Sequence, residues 1–275
     1  MIERKVSLFK SDYMFTTGDI PILITCTDLS DWICKHGRDS VSPLVNEIMG
    51  SSFAQNWNLR TPPICLIDVK ADHIPTQYAP RLQPFFFNKP CFGSSLLKGG
   101  QVIDKTMLPS FIKSSFKRKI LNKNDLLKIA LFDIWIGNED RHHGNSNLIL
   151  DQTQKGEYYF NVFDHGAIFN TSGLRHGIDL ITDNESLISS ELVKILFGSV
   201  NNLTEIVDNI VQDFYLCTQS CEQDLNTILL KIPLEWDFNL IQFEDLLRDN
   251  IFNDDWYSQC EQHFRELIQT NLYNK

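Results

Sequence analysis

Residues 137–150 read GNEDRHHGNSNLIL, and residues 163–169 read FDHGAIF. Asp140, Arg141, His142, His143 and Asn145 fall within six positions, with Asp164 and His165 downstream. Oxygen donors such as Asp140, Asn145 and Asp164 suit a hard divalent ion, and Mg²⁺ is typically held by one or two carboxylates plus substrate phosphates. Asp164 and Asn145 could hold such an ion, leaving Asp140 free to orient or deprotonate a hydroxyl. Phosphoryl transfer requires that division of labour, because its transition state asks for positioned phosphates, neutralised charge and an in-line nucleophile. A metallohydrolase using His142, His143, His165 and Asp133 is the competing chemistry. It lacks a histidine spacing such as H-x-x-x-H.

The flanking elements must bring these side chains together. NDLLKIALFDIWIG, residues 124–137, is apolar almost all round and predicts a buried helix at the centre of a larger domain. SNLIL and EYYFNVF predict two short strands, and Gly156 in the intervening DQTQKG suits a hairpin turn. A hairpin brings its open ends together, so Asn145 before the first strand and Asp164 after the second become neighbours. Asp140 enters at the same end. Upstream, DIPILITCTD and DWICKHG predict strands, SPLVNEIMGSSFAQNW predicts a helix with Ser42 as N-cap and Pro43 just inside, and TPPICLIDV predicts another strand. From about residue 185 onward the pattern is helix after helix. The expectation is two lobes, residues 1–93 and 94–275, forming one catalytic unit with a cleft between them.

A net charge of -10 and a pI near 5.1 argue against a protein that coats nucleic acid, which needs a dominant basic surface. KSSFKRKILNKNDLLK, residues 113–128, runs the other way, with six cations against Asp125. It reads first as a solvated face and second as a docking patch for an acidic partner. Seven cysteines without a CxxC pair suit a reducing, cytoplasmic setting. The first residues lack the apolar core of a signal peptide, and no run approaches a membrane span, so neither secretion nor membrane insertion is expected, while the acidic balance and the lack of a basic amphipathic helix count against a membrane substrate.

D-R-H-H-G-N, with an acid following in F-D-H-G, resembles the HipA-like kinases, particularly their short subgroup. The order Asp-Arg-His is also similar to that of the phosphatidylinositol kinases, while ordinary protein kinases use H-R-D with the same Asp-to-Asn interval. The resemblance implies Asp140 as catalytic base, with Arg141 and His142 bracing the catalytic loop, and Asn145 and Asp164 as metal ligands. It implies further that Lys35 in WICK holds the ATP phosphates and pairs with Glu47, in the Asn46-Glu47 pair of the next helix. No G-x-G-x-x-G precedes Lys35; Gly18 alone is available. CFGSSLLKGG resembles an F-G-S segment near the inter-lobe hinge, with Ser94 and Ser95 as candidate nucleotide contacts or autophosphorylation sites.

The expectation is therefore an α+β, two-lobed protein-kinase-like fold with a small β-rich N-lobe and a mainly α-helical C-lobe. The expected activity is Mg²⁺-dependent transfer from ATP to a serine or threonine of a protein substrate. The resemblance adds a toxin role beside a cognate antitoxin or regulatory protein. The alternatives are a non-catalytic nucleotide-binding regulatory module and a kinase for a lipid or small molecule.

Overall fold

The computed structural model describes residues 2–9, 13–15, 20–38, 40–75, 81–153, 155–171 and 173–273. Gly18 lies outside them. The N-lobe is a five-stranded mixed sheet of β1 (Arg4–Val6), β2 (Ile22–Thr25), β3 (Asp31–Lys35), β4 (Ile64–Asp68) and β5 (Cys91–Ser95). Its spatial order is β1-β4-β5-β3-β2, antiparallel except for the β1–β4 pair. In β3, alternation buries Trp32 and Cys34 in a cluster with Ile22, Ile24, Cys65 and Ile67. Lys35, one residue past Cys34, must point from the opposite face.

The crossover helix α1 (Ser42–Asn56) is buried along most of its length, from Leu44 to Ala54. It is apolar on several faces because the sheet lies on one side and the C-lobe on another. The expected N-cap is corrected here: Ser42 is already helical, Val41 is the cap residue, and no side chain caps the helix from that position. Ser40 takes over part of the task, its hydroxyl accepting the Ser42 backbone N–H at 3.1 Å.

The C-lobe carries the helices α2 (Leu108–Ile112), α3 (Ser114–Lys117), α4 (Asp125–Trp135), α5 (Glu191–Phe197), α6 (Leu203–Gln223), α7 (Leu225–Leu229), α8 (Leu240–Ile251) and α9 (Asp254–Ile268). Strands β6 (Gln101–Val102), β7 (Leu148–Gln152) and β8 (Tyr158–Val162) form a second, antiparallel sheet. Its turn has Gly156 at φ 73°, a conformation glycine adopts without strain.

Helix α4 is the axis of the lobe, with all but two of its eleven residues buried. Trp135 stacks on Trp57 with ring centroids 5.5 Å apart, donates Nε1–H to the Ile251 carbonyl and accepts the Trp256 indole N–H at its own carbonyl, both at 2.9 Å. One apolar cluster runs from Leu66 and Phe92 of the sheet through α1 into these helices, so the lobes share a core. Among the described residues no helix is long and apolar enough to cross a membrane.

Candidate active site

The chain leaves α4 through Gly137, whose φ of 58° lets it turn directly into the 138–147 loop. Asp133, fully buried near the end of α4, anchors that loop: its Oδ1 accepts the Asn138 side-chain amide at 2.9 Å and pairs with the Arg141 guanidinium. Burial pushes the Asp133 carboxyl up to about 6, against the opposing pull of Arg141 and Asn138. Arg141 is equally buried and donates to the carbonyls of Asn147 at 3.4 Å and Phe163 at 2.8 Å. It ties the loop to the two residues that flank the open end of the hairpin and stays inside the fold.

Asp140 is half-buried, and its Oδ2 accepts the side-chain amide of Asn147 at 2.9 Å. His142 and Asn145 exchange backbone hydrogen bonds of 2.9 and 3.1 Å, while His142 Nδ1 accepts the Gly144 N–H at 3.0 Å. These bonds fold the loop back on itself. The Asn145 side chain forms no hydrogen bond among the described residues and lines a cleft of about 700 Å³ with His142, His143 and Ser146. His143 lies 3.2 Å from the Asn184 carbonyl through Nδ1.

The hairpin closes its open end as its sequence requires: Phe163 donates its N–H to the Asn147 carbonyl at 3.3 Å. Asp164 comes next, in the left-handed region at φ 61°. From there its Oδ1 meets the Lys35 ammonium at 2.6 Å, and the same ammonium meets Glu47 Oε1 at 2.5 Å. Three elements distant in sequence thus converge on one cation. Burial alone would depress the Lys35 ammonium, but Glu47 and Asp164 outweigh it and hold the group protonated, above its ordinary value. For Asp164, burial opposes ionisation, yet Lys35 prevails and the carboxyl titrates below its usual range. Glu47 goes the other way, raised by burial that Lys35 only partly offsets.

Helix α1 grips the segment after Asp164 at two further points. Glu47 Oε2 accepts the His165 backbone N–H at 3.0 Å, and the Asn46 amide donates to the carbonyls of Gly166 at 2.9 Å and Ile168 at 3.3 Å. Gly50 makes the approach close enough, since a Cβ there would stand 2.4 Å from His165 Cβ. His165 is fully buried, and burial foremost, with the charge of Arg141 adding to it, keeps its imidazole neutral to well below its ordinary pKa.

The donors suit a nucleotide-bound hard cation. Among the described residues no group of three or more His, Cys, Asp or Glu side chains is placed to hold a metal ion. Asn145 and Asp164 offer two oxygen-bearing side chains, in keeping with a Mg²⁺ ion completed by phosphates and water. In sequence Asn138 and Asn147 look like ordinary turn residues and Asp133 only like a hydrolase ligand, whereas the fold gives each a side-chain partner in or beside the loop. Asn147 does carry a signal, as it sits at φ 44°, a conformation asparagine tolerates better than most residues. Its bond to Asp140 depends on hairpin geometry that no local pattern encodes.

A family model described as HipA-like kinase matches residues 16–254. No curated protein matches the sequence. Among solved structures, the Helicobacter pylori proinflammatory kinase CtkA is similar at 13% identity and a TM-score of 0.56, over 95% of this chain and 97% of that one. The Golgi casein kinase is similar at 14% identity and a TM-score of 0.52, over 98% of this chain and 73% of that one. At such identities the likeness establishes the fold, a kinase-like pair of lobes, while the family model covers most of the sequence. The chain belongs to the HipA-like kinase family.

Proposed function

We propose that this HipA-like kinase transfers the γ-phosphoryl group of ATP, in a Mg²⁺-dependent reaction, to a serine or threonine hydroxyl of a protein. The observation that carries the reading is the Lys35 ammonium, 2.5 Å from Glu47 and 2.6 Å from Asp164, which follows the hairpin whose preceding loop carries Asp140. A buried cation fixed between two carboxylates is a positioned ligand for phosphate oxygens. Asn145 and Asp164 would hold the Mg²⁺, which supplies charge neutralisation at the phosphates when bound.

Asp140 accepts the proton of the acceptor hydroxyl as that oxygen bonds to the γ-phosphorus and the bond to the departing ADP oxygen breaks. Asn147 holds the Asp140 carboxylate in place, and Arg141 and His142 keep the loop in shape around it. One structural relative is named for a protein, casein, which supports a protein acceptor. Seven free, buried cysteines favour a reducing, cytoplasmic setting. The biological setting proposed for it, as the resemblance to HipA implies, is a toxin beside an antitoxin or regulatory protein.

The test is incubation of the purified chain with γ-labelled ATP and Mg²⁺, with and without cell extract, followed by mass spectrometry. Phosphoserine or phosphothreonine on an extract protein or on the chain is expected. ATP bound with no label moved would replace this reading with a nucleotide-binding regulatory module, and label on lipid would redirect it to a lipid kinase. In Asp164→Ala, ATP affinity should lose its Mg²⁺ dependence; an unchanged dependence would contradict the ligand assignment.

A further inference from the structure

The basic segment 113–128 takes no part in the site described above. Lys113, Arg118 and Lys119 are exposed, and their side chains form no hydrogen bond or ion pair among the described residues. Lys117, Arg118 and Lys123 line one groove of about 410 Å³ together with Leu121. Two large apolar side chains flank the cations, Ile112 at 63% and Leu121 at 52% exposure. The local acid, Asp125, is half-buried and engaged by the Asn122 amide at 2.9 Å. A chain of net charge -10 thus displays a partly apolar groove in which Lys117, Arg118 and Lys123 outnumber the one acid that lines it, Asp125.

Its position relates it to the cleft beside the catalytic loop. Leu108, first residue of α2, lines that cleft, and α2 ends at Ile112, directly before the basic segment begins at Lys113. Five helical residues rise only about 7 Å. On the neighbouring wall, the Lys117 ammonium donates to the Ile195 carbonyl at 2.6 Å, and the adjacent Lys194 lines the cleft. A chain leaving the cleft along α2 would reach the groove within a few residues.

We propose that this groove docks an acidic segment of the protein acceptor, holding it while its hydroxyl enters the cleft. The inference rests on the protein-kinase reading and names a substrate class for it: an acceptor with a Glu- or Asp-rich stretch, interspersed with apolar residues, close to the phosphorylated residue. The general negative charge of the chain repels such a partner elsewhere, so the groove fixes orientation as well as adding affinity.

The experiment is binding of a fluorescein-labelled, glutamate-rich peptide bearing one serine, followed by anisotropy without ATP. A lysine-rich counterpart and a single-stranded oligonucleotide serve as comparison probes. The glutamate-rich peptide should bind the wild-type chain most tightly, and more weakly as salt approaches about 0.15 M. Arg118→Glu/Lys123→Glu, two cations that line the groove, should weaken it by about tenfold or more, with the corresponding double Gln variant intermediate. Equal binding by wild type and the Glu variant, or no preference for the acidic peptide, would overturn the proposal. Tighter, patch-dependent binding of the oligonucleotide would overturn it in favour of a nucleic-acid partner. Because binding is read without ATP, its failure is separate from failure of phosphoryl transfer, which would count against the kinase reading instead.

Discussion

The side-chain amide of Asn147 donates to the carboxylate of Asp140 at 2.9 Å, joining the residue that opens the hairpin to the one that would act as base. Asn147 sits at φ 44°, so glycine can replace it without backbone strain while deleting the amide. In Asn147→Gly, kcat should fall by about ten- to a hundredfold, the scale of a misplaced reacting group, with ATP affinity unchanged. Steady-state kinetics and ATP titration would check this. Equal loss in kcat and in ATP binding would instead mark a general collapse of the loop.

Arg141 and Asp133 form a fully buried ion pair. Removing one partner leaves a charge stranded in the core, so Arg141→Ala should cost about 3–5 kcal/mol of stability. Arg141→Met with Asp133→Leu should recover much of that, while activity stays low because the carbonyls of Asn147 and Phe163 lose their donor. Denaturant unfolding beside a transfer assay separates the two effects.

Gly50→Ala tests the contact between α1 and the segment after Asp164. The new methyl would stand 2.4 Å from His165 Cβ, so helix and segment must part. Overpacking of this kind costs about 1–3 kcal/mol. ATP affinity should fall with it, since Glu47 holds both Lys35 and the His165 backbone N–H. Wild-type ATP affinity in a destabilised variant would show that the two are uncoupled.

Two buried groups make stability depend on pH with opposite sign. His165 stays neutral in the fold to well below its ordinary 6.5, so the unfolded chain binds the extra proton and stability falls as pH drops below that value. Asp133 titrates at about 6 in the fold against an ordinary 3.8, so the folded chain binds the extra proton between those values and stability falls as pH rises through that window. His165→Leu should therefore flatten the loss of stability on acidification, and Asp133→Asn should steepen it. Unfolding midpoints measured from pH 4 to pH 7 would reveal either slope.

Much of this site was legible in sequence because it is built on strong periodicities. The nearly all-apolar run 124–137 could only be a buried helix, and β7 and β8 with Gly156 between them could only close at the Asn147–Phe163 end. Lys35 and Glu47 stand out in sequence only through the resemblance to the HipA-like kinases, and in the fold the Lys35 ammonium lies between Glu47 and Asp164. β1 was missed, since three residues, RKV, carry no readable alternation and gain their place only by pairing with β4. The short helices α2, α3 and α7 were missed for a similar reason, being too brief to establish a 3.6-residue period. Asn46 and Asn147 act through partners far away in sequence or across a turn, and only the assembled fold supplies those partners.

The central claim is that Asp140 takes the acceptor proton in a phosphoryl transfer. Single-turnover transfer from γ-labelled ATP with Mg²⁺, compared between wild type and Asp140→Asn, tests it most directly. The account predicts a rate lowered by about 10²- to 10⁴-fold in the variant, the range for a lost acid-base group, with ATP binding preserved. Transfer at the wild-type rate by Asp140→Asn would contradict it.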